Sequence, residues 1–244
     1  MKNCDCIAWE IGSHDASKIV RDAFKLDGVK VPSVNRITDS LSKDGLYQWY
    51  RKVGFFNADG IANAAKAVGS SAATAMENYR KFGLMPDSPY ERKVVEEWVA
   101  WHDTKEEVMY PEVHLVNTKD KYHGFADVVI HSGDVAMLGD DKIKKRHANL
   151  NLILNEHAYA MCDSMEVDGE IVPVPWKVPI ESTWLWTFHP ETGQLFPEEV
   201  SFDFNMYNRF LLCKSMYYLN KEAEAYFKEH ATLLPHPEEA NEEK

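Results

Sequence analysis

The chain has 244 residues and a mass of 28.0 kDa, with 45% hydrophobic residues and a formal net charge of −12 from 27 Lys+Arg against 39 Asp+Glu. It contains no run of about 18 apolar residues, and no basic segment followed by an apolar one after Met1. We therefore expect neither a membrane span nor a secretory signal. The cysteines, Cys4, Cys6, Cys162 and Cys213, are too few and too unevenly spaced for a disulfide scaffold, which favours a reducing, cytoplasmic location.

The negative charge is concentrated in one part of the chain. Residues 1–90 carry 12 basic and 10 acidic residues, whereas residues 91–244 carry 15 basic and 29 acidic residues. A short basic run stands against this trend, and it consists of Lys142, Lys144, Lys145, Arg146 and His147. The overall acidity argues against a nucleic-acid partner. Any such contact is therefore expected only at this run, at a neighbouring cation site or in the near-neutral N-terminal part.

Helical patterns come first along the chain. The apolar spacing from Val31 to Tyr50 predicts two short helices, and the spacing from Tyr90 to Glu107 predicts a longer one. Between them, an alanine-rich stretch from Gly60 to Tyr79 has side chains small enough to let another element approach closely.

The pattern then changes to that of strands, which are predicted at 109–116, 122–130 and 135–138, with Asp140-Asp141-Lys142 at the end of the third. The last two are joined by a tight hairpin signal at 131–134. An amphipathic helix at 150–161, a second hairpin at 183–200 and a final helix around 210–219 follow. This order predicts a mixed α/β fold, in which helices flank a mixed central sheet.

The first hairpin places two carboxylates and a lysine together. If Ser132 and Gly133 are its turn residues, Asp127 lies opposite Leu138 and diagonal to Asp140, about 7–8 Å away at the backbone. Asp140 and Lys142 share the face of Asp127, because alternate residues of a strand point to the same side. Burying such a trio alone would be unfavourable, so it predicts a site for a hard divalent cation.

Carboxylate-held Mg²⁺ or Mn²⁺ beside a lysine is suited to phosphodiester hydrolysis, because the cation neutralises phosphoryl oxygens and the lysine orients or deprotonates water. Glu112 on the preceding strand is a candidate further ligand, and Lys144 and Arg146 are candidates for contact with the nucleic-acid strand. Asn155 and Tyr159 share a helix face and could position the backbone of the nucleic acid, or Tyr159 could belong to the core. The competing interpretation is that Asp127 and Asp140 are ordinary acids at strand ends.

At these residues the sequence resembles the PD-(D/E)XK nuclease superfamily, specifically its RecB-like branch of phage exonucleases and the mitochondrial genome maintenance exonuclease. The resemblance covers about residues 31–228. Five motifs carry it in order: the Pro-Ser-Val entry at 32–34, the Gly-Ser helix from 69 to 79, Gly-Phe-Ala-Asp at 124–127, Asp-Asp-Lys at 140–142, and the Asn-to-Tyr helix segment at 155–159.

The resemblance implies a restriction-endonuclease-like core. It implies that Asp127 and Asp140, with the backbone carbonyl of Asp141, bind metal, and that Lys142 serves the water. Ala73 stands where this branch usually has a ligand histidine, so a second metal would be absent or held by Glu77 or Glu112. Asn35 and Asn155 replace the usual threonine and glutamine. No Cys-x-x-Cys element is present near the C-terminus, so we expect no iron–sulfur cluster.

These observations predict three regions: an N-terminal helical arm with the first core helix at 1–86, a nuclease core at 87–230, and an acidic, disordered tail at 231–244. The favoured function is a Mg²⁺- or Mn²⁺-dependent exonuclease of phage type, acting on DNA ends in replication, recombination or degradation in a bacterial or phage-infected cell. A non-cleaving homologue that binds DNA or protein, and a site-specific endonuclease, remain open. The polarity, the strand preference and the oligomeric state stay open as well.

Overall fold

The computed structural model describes residues 24–41, 51–102, 108–132, 135–144, 150–176 and 178–230. The helices named here are α1 (Val34–Thr38), α2 (Phe55–Phe82), α3 (Pro89–His102), α4 (Leu150–Ala160) and α5 (Phe204–His230). The strands are β1 (Lys25–Leu26), β2 (Val29–Lys30), β3 (Val108–Asn117), β4 (Tyr122–Ser132), β5 (Val135–Ile143), β6 (Ser164–Val167), β7 (Glu170–Pro173), β8 (Ile180–Phe188) and β9 (Leu195–Ser201).

Within these ranges, seven strands form one sheet in the order β7-β6-β3-β4-β5-β8-β9, and β1 pairs with β2 separately. All neighbours in the large sheet are antiparallel except β5 and β8, which are parallel. Because parallel neighbours need a long crossover, α4 and the β6–β7 hairpin lie in the chain between them. The predicted mixed central sheet flanked by helices is confirmed.

Helices cover both faces of the sheet. On one face, α2 and α3 bury Met76, Val94 and Trp98 against Ile130 and Trp186. On the other face, α1, α4 and α5 bury residues that include Ile37, Leu154, Ala158, Tyr207 and Phe210. The two sets of contacts therefore sandwich the central strands β3, β4, β5 and β8.

Local signals explain where α2 ends and where α3 begins. Gly83 adopts φ 67° and donates its N–H to the Tyr79 carbonyl, which ends α2 in the left-handed conformation that glycine adopts readily. Pro89 occupies the first turn of α3, where its missing N–H would have no helical partner. The close approach expected along the alanine-rich stretch occurs at Ala75 and Met76, which lie on the side of α2 that packs against the sheet.

The register of the β4–β5 hairpin differs from the prediction. Ser132 pairs with Val135, and Val129 pairs with Leu138, so Ser132 is a strand residue and not a turn residue. Asp127 is therefore not opposite Leu138, because the observed register is shifted by two residues from the predicted one. Asp127 lies just beyond the last ladder pair, Val128↔Gly139, and its hydrogen bond to the Asp141 N–H is what joins it to β5.

A paired irregularity interrupts β3 and β4 at Glu112 and Asp127. The β3–β4 pairing has the same register before and after this point, at Pro111↔Val128 and at Val113↔Ala126. The pair that would lie between them, Glu112 with Asp127, is missing. Ala126 and Val129 pack on the same side of the sheet although they are three residues apart. Side-chain alternation therefore changes phase at this point, as expected when each strand carries one extra residue.

Several predicted features lie outside the described residues. These are the second short helix around Leu46 to Tyr50, the hairpin residues Gly133 and Asp134, Lys145, Arg146, His147, Cys4, Cys6 and the tail from residue 231. The three-region division of the chain stays a prediction. The sequence interpretation did not include the β6–β7 hairpin, whose signal is the Asp168-Gly169 turn with both residues at positive φ.

Candidate active site

The candidate site lies where β4 and β5 diverge. Oδ2 of Asp127 accepts the backbone N–H of Asp141 at 2.8 Å, which bridges the two strands beyond their last ladder pair, Val128↔Gly139. Because a side chain replaces the next ladder bond, β5 loses its regular pairing with β4 from Asp140 onward, while its parallel pairing with β8 continues to Ile143. The acidic pair is thus held by the strands at the point where the ladder ends.

Lys142 makes the central contacts of the site. Its ammonium donates to Oδ1 of Asp140 at 2.7 Å and to the backbone carbonyl of Asp141 at 3.1 Å. Burial lowers the pKa of Lys142, but the neighbouring carboxylates of Asp140 and Asp127 raise it by more, so the lysine is held charged. Its side chain is 37% exposed and can therefore meet a ligand from solvent.

Asp140 is the most buried of the predicted ligands, at 8% exposure. Burial raises the pKa of Asp140 to about 7, and the neighbouring Asp127 adds to this, whereas the Lys142 ammonium opposes it. Its second carboxylate oxygen, Oδ2, is buried and accepts no hydrogen bond from the part of the protein that the structure describes. Asp140 therefore has one oxygen on an ammonium and one buried oxygen free to bind a cation.

Glu112 lies beside Asp127 at the paired irregularity and has φ 52°. This left-handed conformation is unfavourable for a residue other than glycine, and such strain is common at functional sites. Burial raises the pKa of Glu112 to about 8, with further contributions from the negative charges of Asp127 and Glu77. The irregularity thus turns a third carboxylate, from β3, towards Asp127, and Glu77 on α2 is near enough for its charge to act on Glu112.

The carboxylates of the site have the chemistry of divalent-cation ligands, and the Lys142 ammonium lies among them. The Lys142 ammonium bridges Asp140 and the Asp141 carbonyl, which are two of the three groups that the resemblance assigns to metal, so a positive charge is already favoured there. Among the residues that the structure describes, no group of three or more His, Cys, Asp or Glu side chains is arranged to hold a metal. A cation here would therefore combine Asp127 and Asp140 with a backbone oxygen, and it would require Lys142 to move.

The candidate substrate-contacting residues are in different situations. Lys144 is at the end of β5, where burial and the nearby Lys142 charge lower its pKa. Arg146 lies outside the described residues. Asn155 uses both ends of its amide within the protein: Nδ2 donates to Asn35 at 2.7 Å, and Oδ1 accepts from Thr38 at 2.8 Å. The two asparagines that depart from the resembled pattern are thus hydrogen-bonded to each other.

Tyr159 is 4% exposed and packs in the core against Gly124, as the core interpretation of this residue expected. A β-carbon at Gly124 would be 2.5 Å from Cε1 of Tyr159, so glycine is needed there for the ring to fit. His123, which directly precedes Gly124, is fully buried and hydrogen-bonded to His114 at 2.8 Å. It is therefore not available to a ligand from solvent.

Two residues near the site were not singled out from the sequence. Glu156 on α4 is 2% exposed; burial, followed by the charge of Asp140, raises its pKa well above the ordinary range. Its spacing from the buried Leu152 and Tyr159 places it on the apolar face of the helix. A glutamate at this position of an apolar face was the sequence feature that could have indicated it. Arg80 on α2 binds the Asp141 side chain, and it lies four residues after the buried Met76.

A cleft of about 300 Å³ lies beside Lys142, between α2 and β5. Small residues of α2 form one wall, and Lys66 and Ser70 also belong to its lining. Ala73 is in this wall, so the position where the resemblance expects a histidine contributes open space next to the lysine. The described part of the chain contains no helix long and apolar enough to cross a membrane.

Comparisons with known proteins give distant structural similarity only. No protein-family model matches the chain, and no curated protein matches it. The structure is similar to an alkaline exonuclease, LHK-Exo, from Laribacter hongkongensis, with a TM-score of 0.43 and 13% identity over 82% of this chain and 92% of that chain. It is also similar to the crystal structure of SSO0001, with a TM-score of 0.42 and 11% identity over 77% of this chain and 74% of that chain.

Proposed function

We propose that this protein is a metal-dependent nuclease that hydrolyses phosphodiester bonds of DNA. The observation that carries the proposal is the convergence of the Lys142 ammonium, the Asp140 carboxylate and the Asp141 carbonyl within 2.7–3.1 Å, with Asp127 tied to the same strand end. Sequence motifs predicted this set of residues. Hydrogen bonds join these residues to one another, and the acceptor oxygens of Asp140 and Asp141 both contact a positively charged group.

Each residue has a role in this proposal. Asp127, Asp140 and the Asp141 carbonyl would hold Mg²⁺ or Mn²⁺, and Glu112 would assist from β3. When bound, such a cation neutralises phosphoryl oxygens and lowers the pKa of a bound water. Lys142 orients that water or the phosphate, since its ammonium donates hydrogen bonds and is partly exposed. Lys144 and Arg146 follow Lys142 in the chain and would contact the phosphate backbone.

The finer proposal is an exonuclease of phage type that acts on DNA ends. Its test uses end-labelled linear DNA and closed circular DNA of the same sequence, each with Mg²⁺, Mn²⁺ or chelator. We expect metal-dependent loss of linear DNA and little cleavage of the circle. Discrete fragments from the circle would instead indicate a site-specific endonuclease.

Asp140→Asn and Lys142→Met should each reduce cleavage by roughly 10²–10⁴-fold, the usual contribution of an acid–base or cation-holding group. Lys221→Met is the matched control, because Lys221 makes an exposed ion pair with Glu224 on α5. The proposal fails if no DNA substrate is lost in a metal-dependent way, or if Asp140→Asn retains the activity.

A second candidate is a non-cleaving homologue that binds DNA or a protein. Ala73 and the Lys142 contacts favour it, since the lysine already neutralises Asp140 without a metal. This candidate predicts DNA binding that chelation leaves unchanged, measured by fluorescence anisotropy with a labelled oligonucleotide. Binding that disappears with chelator would count against it.

A further inference from the structure

A buried ion pair connects α2 to the strand that carries the candidate site. The Arg80 guanidinium donates to both carboxylate oxygens of Asp141, with Nη1 at 2.6 Å and Nη2 at 3.0 Å. The two side chains are 2% and 7% exposed. Such a bidentate contact fixes direction as well as distance, because both partners are planar.

Aromatic rings enclose the guanidinium. Arg80 Cζ lies 4.6 Å from the ring centroid of Trp98 and 5.3 Å from that of Trp186. Arg80 Nε is buried and donates no hydrogen bond within the described part of the chain. Apolar residues of similar volume often stabilise a fold as well as a buried ion pair does, so stability alone does not account for this arrangement.

The backbone of Asp141 faces the candidate site while its side chain is held on the opposite face. Its N–H donates to Asp127 at 2.8 Å, and its carbonyl accepts from Lys142 at 3.1 Å. Residue 141 pairs with Trp186 of β8, but it lies beyond the last β4–β5 ladder pair, so on the β4 side the Asp127 contact stands in for the ladder. The Arg80 contact holds the Asp141 side chain and is therefore placed to limit rotation of the strand on that unpaired side.

We infer that Arg80 is a positioning residue. By holding the Asp141 carboxylate from α2, it keeps the Asp141 N–H on Asp127 and keeps the Asp141 carbonyl on the side of the Lys142 ammonium, where the proposed cation would bind. The inference rests on the proposed function for the cation, but the orientation of the peptide is a property of the metal-free protein. The predicted consequence is that loss of the bidentate grip weakens metal binding more than loss of stability explains.

The experiment compares three variants of the full chain with the wild type. Arg80→Lys keeps the positive charge and removes the two-pronged guanidinium contact. The double variant Arg80→Met with Asp141→Leu replaces the ion pair by apolar groups, and Lys221→Met is the control. For each we would measure the melting temperature, the exchange rate of the residue-141 amide by NMR, and the affinity for Mn²⁺ alone by calorimetry. The amide rate reports the contact with Asp127 and needs no metal.

We expect Arg80→Lys to bind Mn²⁺ roughly 10–100-fold more weakly and to exchange the residue-141 amide faster, the usual effect of removing a partner that orients a ligand. The double variant should keep a melting temperature close to the wild type and still show both defects. The inference is overturned if the double variant regains wild-type Mn²⁺ affinity and amide protection, because the pair then only fills space. If the wild type binds no Mn²⁺, the proposed function fails, and the amide rates alone decide the positioning role.

Discussion

The Lys142 ammonium lies 2.7 Å from Oδ1 of Asp140 and competes with any cation that would bind that carboxylate. The same ammonium also donates a hydrogen bond to the Asp141 carbonyl. In the metal-free protein the lysine thus neutralises the groups that the proposed function assigns to metal. Metal binding and release of this lysine should therefore be linked.

Lys142→Met should raise the affinity for Mn²⁺ while it removes cleavage. Loss of the competing charge next to the carboxylate should raise the affinity by roughly tenfold, which corresponds to about 1.4 kcal/mol. Calorimetric titration with Mn²⁺, alongside a cleavage assay on linear DNA, checks both results. Unchanged or weaker Mn²⁺ binding in Lys142→Met would show that the ammonium does not compete.

Glu112 should make the metal-free protein less stable as the pH rises. Its pKa is about 8 in the folded protein against an ordinary value of 4.5, because of burial and then the charge of Asp127. The folded state thus holds an extra proton between about pH 4.5 and pH 8, so its contribution is full below 4.5 and is lost as the pH rises through 8.

Urea unfolding in chelator between pH 5 and pH 9 checks this for the wild type and Glu112→Gln. In the wild type the free energy of unfolding should fall as the pH rises, and in Glu112→Gln this fall should be less steep, by at most about 1.4 kcal/mol per pH unit. Identical slopes in the two proteins would contradict the raised pKa of Glu112. Glu224→Gln on exposed α5 serves as the control.

Gly139→Ala should destabilise the protein, because the residue before Asp140 has no room for a side chain. A β-carbon there would be 1.9 Å from Cζ3 of the buried Trp186. Overpacking of this kind typically reduces the free energy of unfolding by about 1–3 kcal/mol. Adding Trp186→Leu should make the combined loss smaller than the sum of the two single losses.

Gly60→Ala is the matched control for that substitution. Gly60 is in α2, and a β-carbon there would have no other atom within 4 Å, so alanine should be neutral or stabilise the helix by up to about 1 kcal/mol. Chemical unfolding of all four variants provides the comparison. Equal effects at Gly139 and Gly60 would exclude the steric explanation.

Asn155→Ala and Asn35→Ala should be energetically coupled. Their side chains share a hydrogen bond of 2.7 Å, and Asn155 also accepts from Thr38. We expect each single variant to lose about 0.5–1.5 kcal/mol, and the double variant to lose less than the sum. If Asn155 also contacts DNA, Asn155→Ala raises the KM for DNA while Asn35→Ala does not, and this difference decides whether Asn155 has more than a structural role.

Ala73→Trp should reduce DNA cleavage without changing Mn²⁺ affinity. Ala73 lines the cleft of about 300 Å³ beside Lys142, and this volume is at the lower end of the range for small-molecule sites. An indole there would block a nucleotide next to the lysine. Ala64→Trp, on an exposed position of the same helix, controls for a bulky residue on α2. Equal cleavage by the two variants would exclude the cleft from the substrate path.

The sequence alone determined the type and order of most elements of the core, and it supplied the candidate site residues as a prediction. Apolar periodicity is a local property, so the three strands of 108–143, α4, the late hairpin and the existence of the final helix could be predicted. The final helix extends well beyond the predicted 210–219, to Phe204 at one end and His230 at the other. Strand alternation likewise placed Asp127, Asp140 and Lys142 on one face. The register differs from the prediction by two residues, an even number, so the facing of the paired residues of β4 and β5 is unchanged. At Asp127 the alternation changes phase, so its contact with Asp141 could not be derived from alternation.

Only the tertiary structure decided how the site is held together. The register of β4–β5 depends on cross-strand packing, and the phase change at Glu112 and Asp127 requires both strands at once. Arg80 reaches Asp141 from 61 residues away in the chain, and no local pattern indicates that distance in space. Long-range burial and directional hydrogen bonds carry this information, and neither can be read from the residues on one strand or one helix.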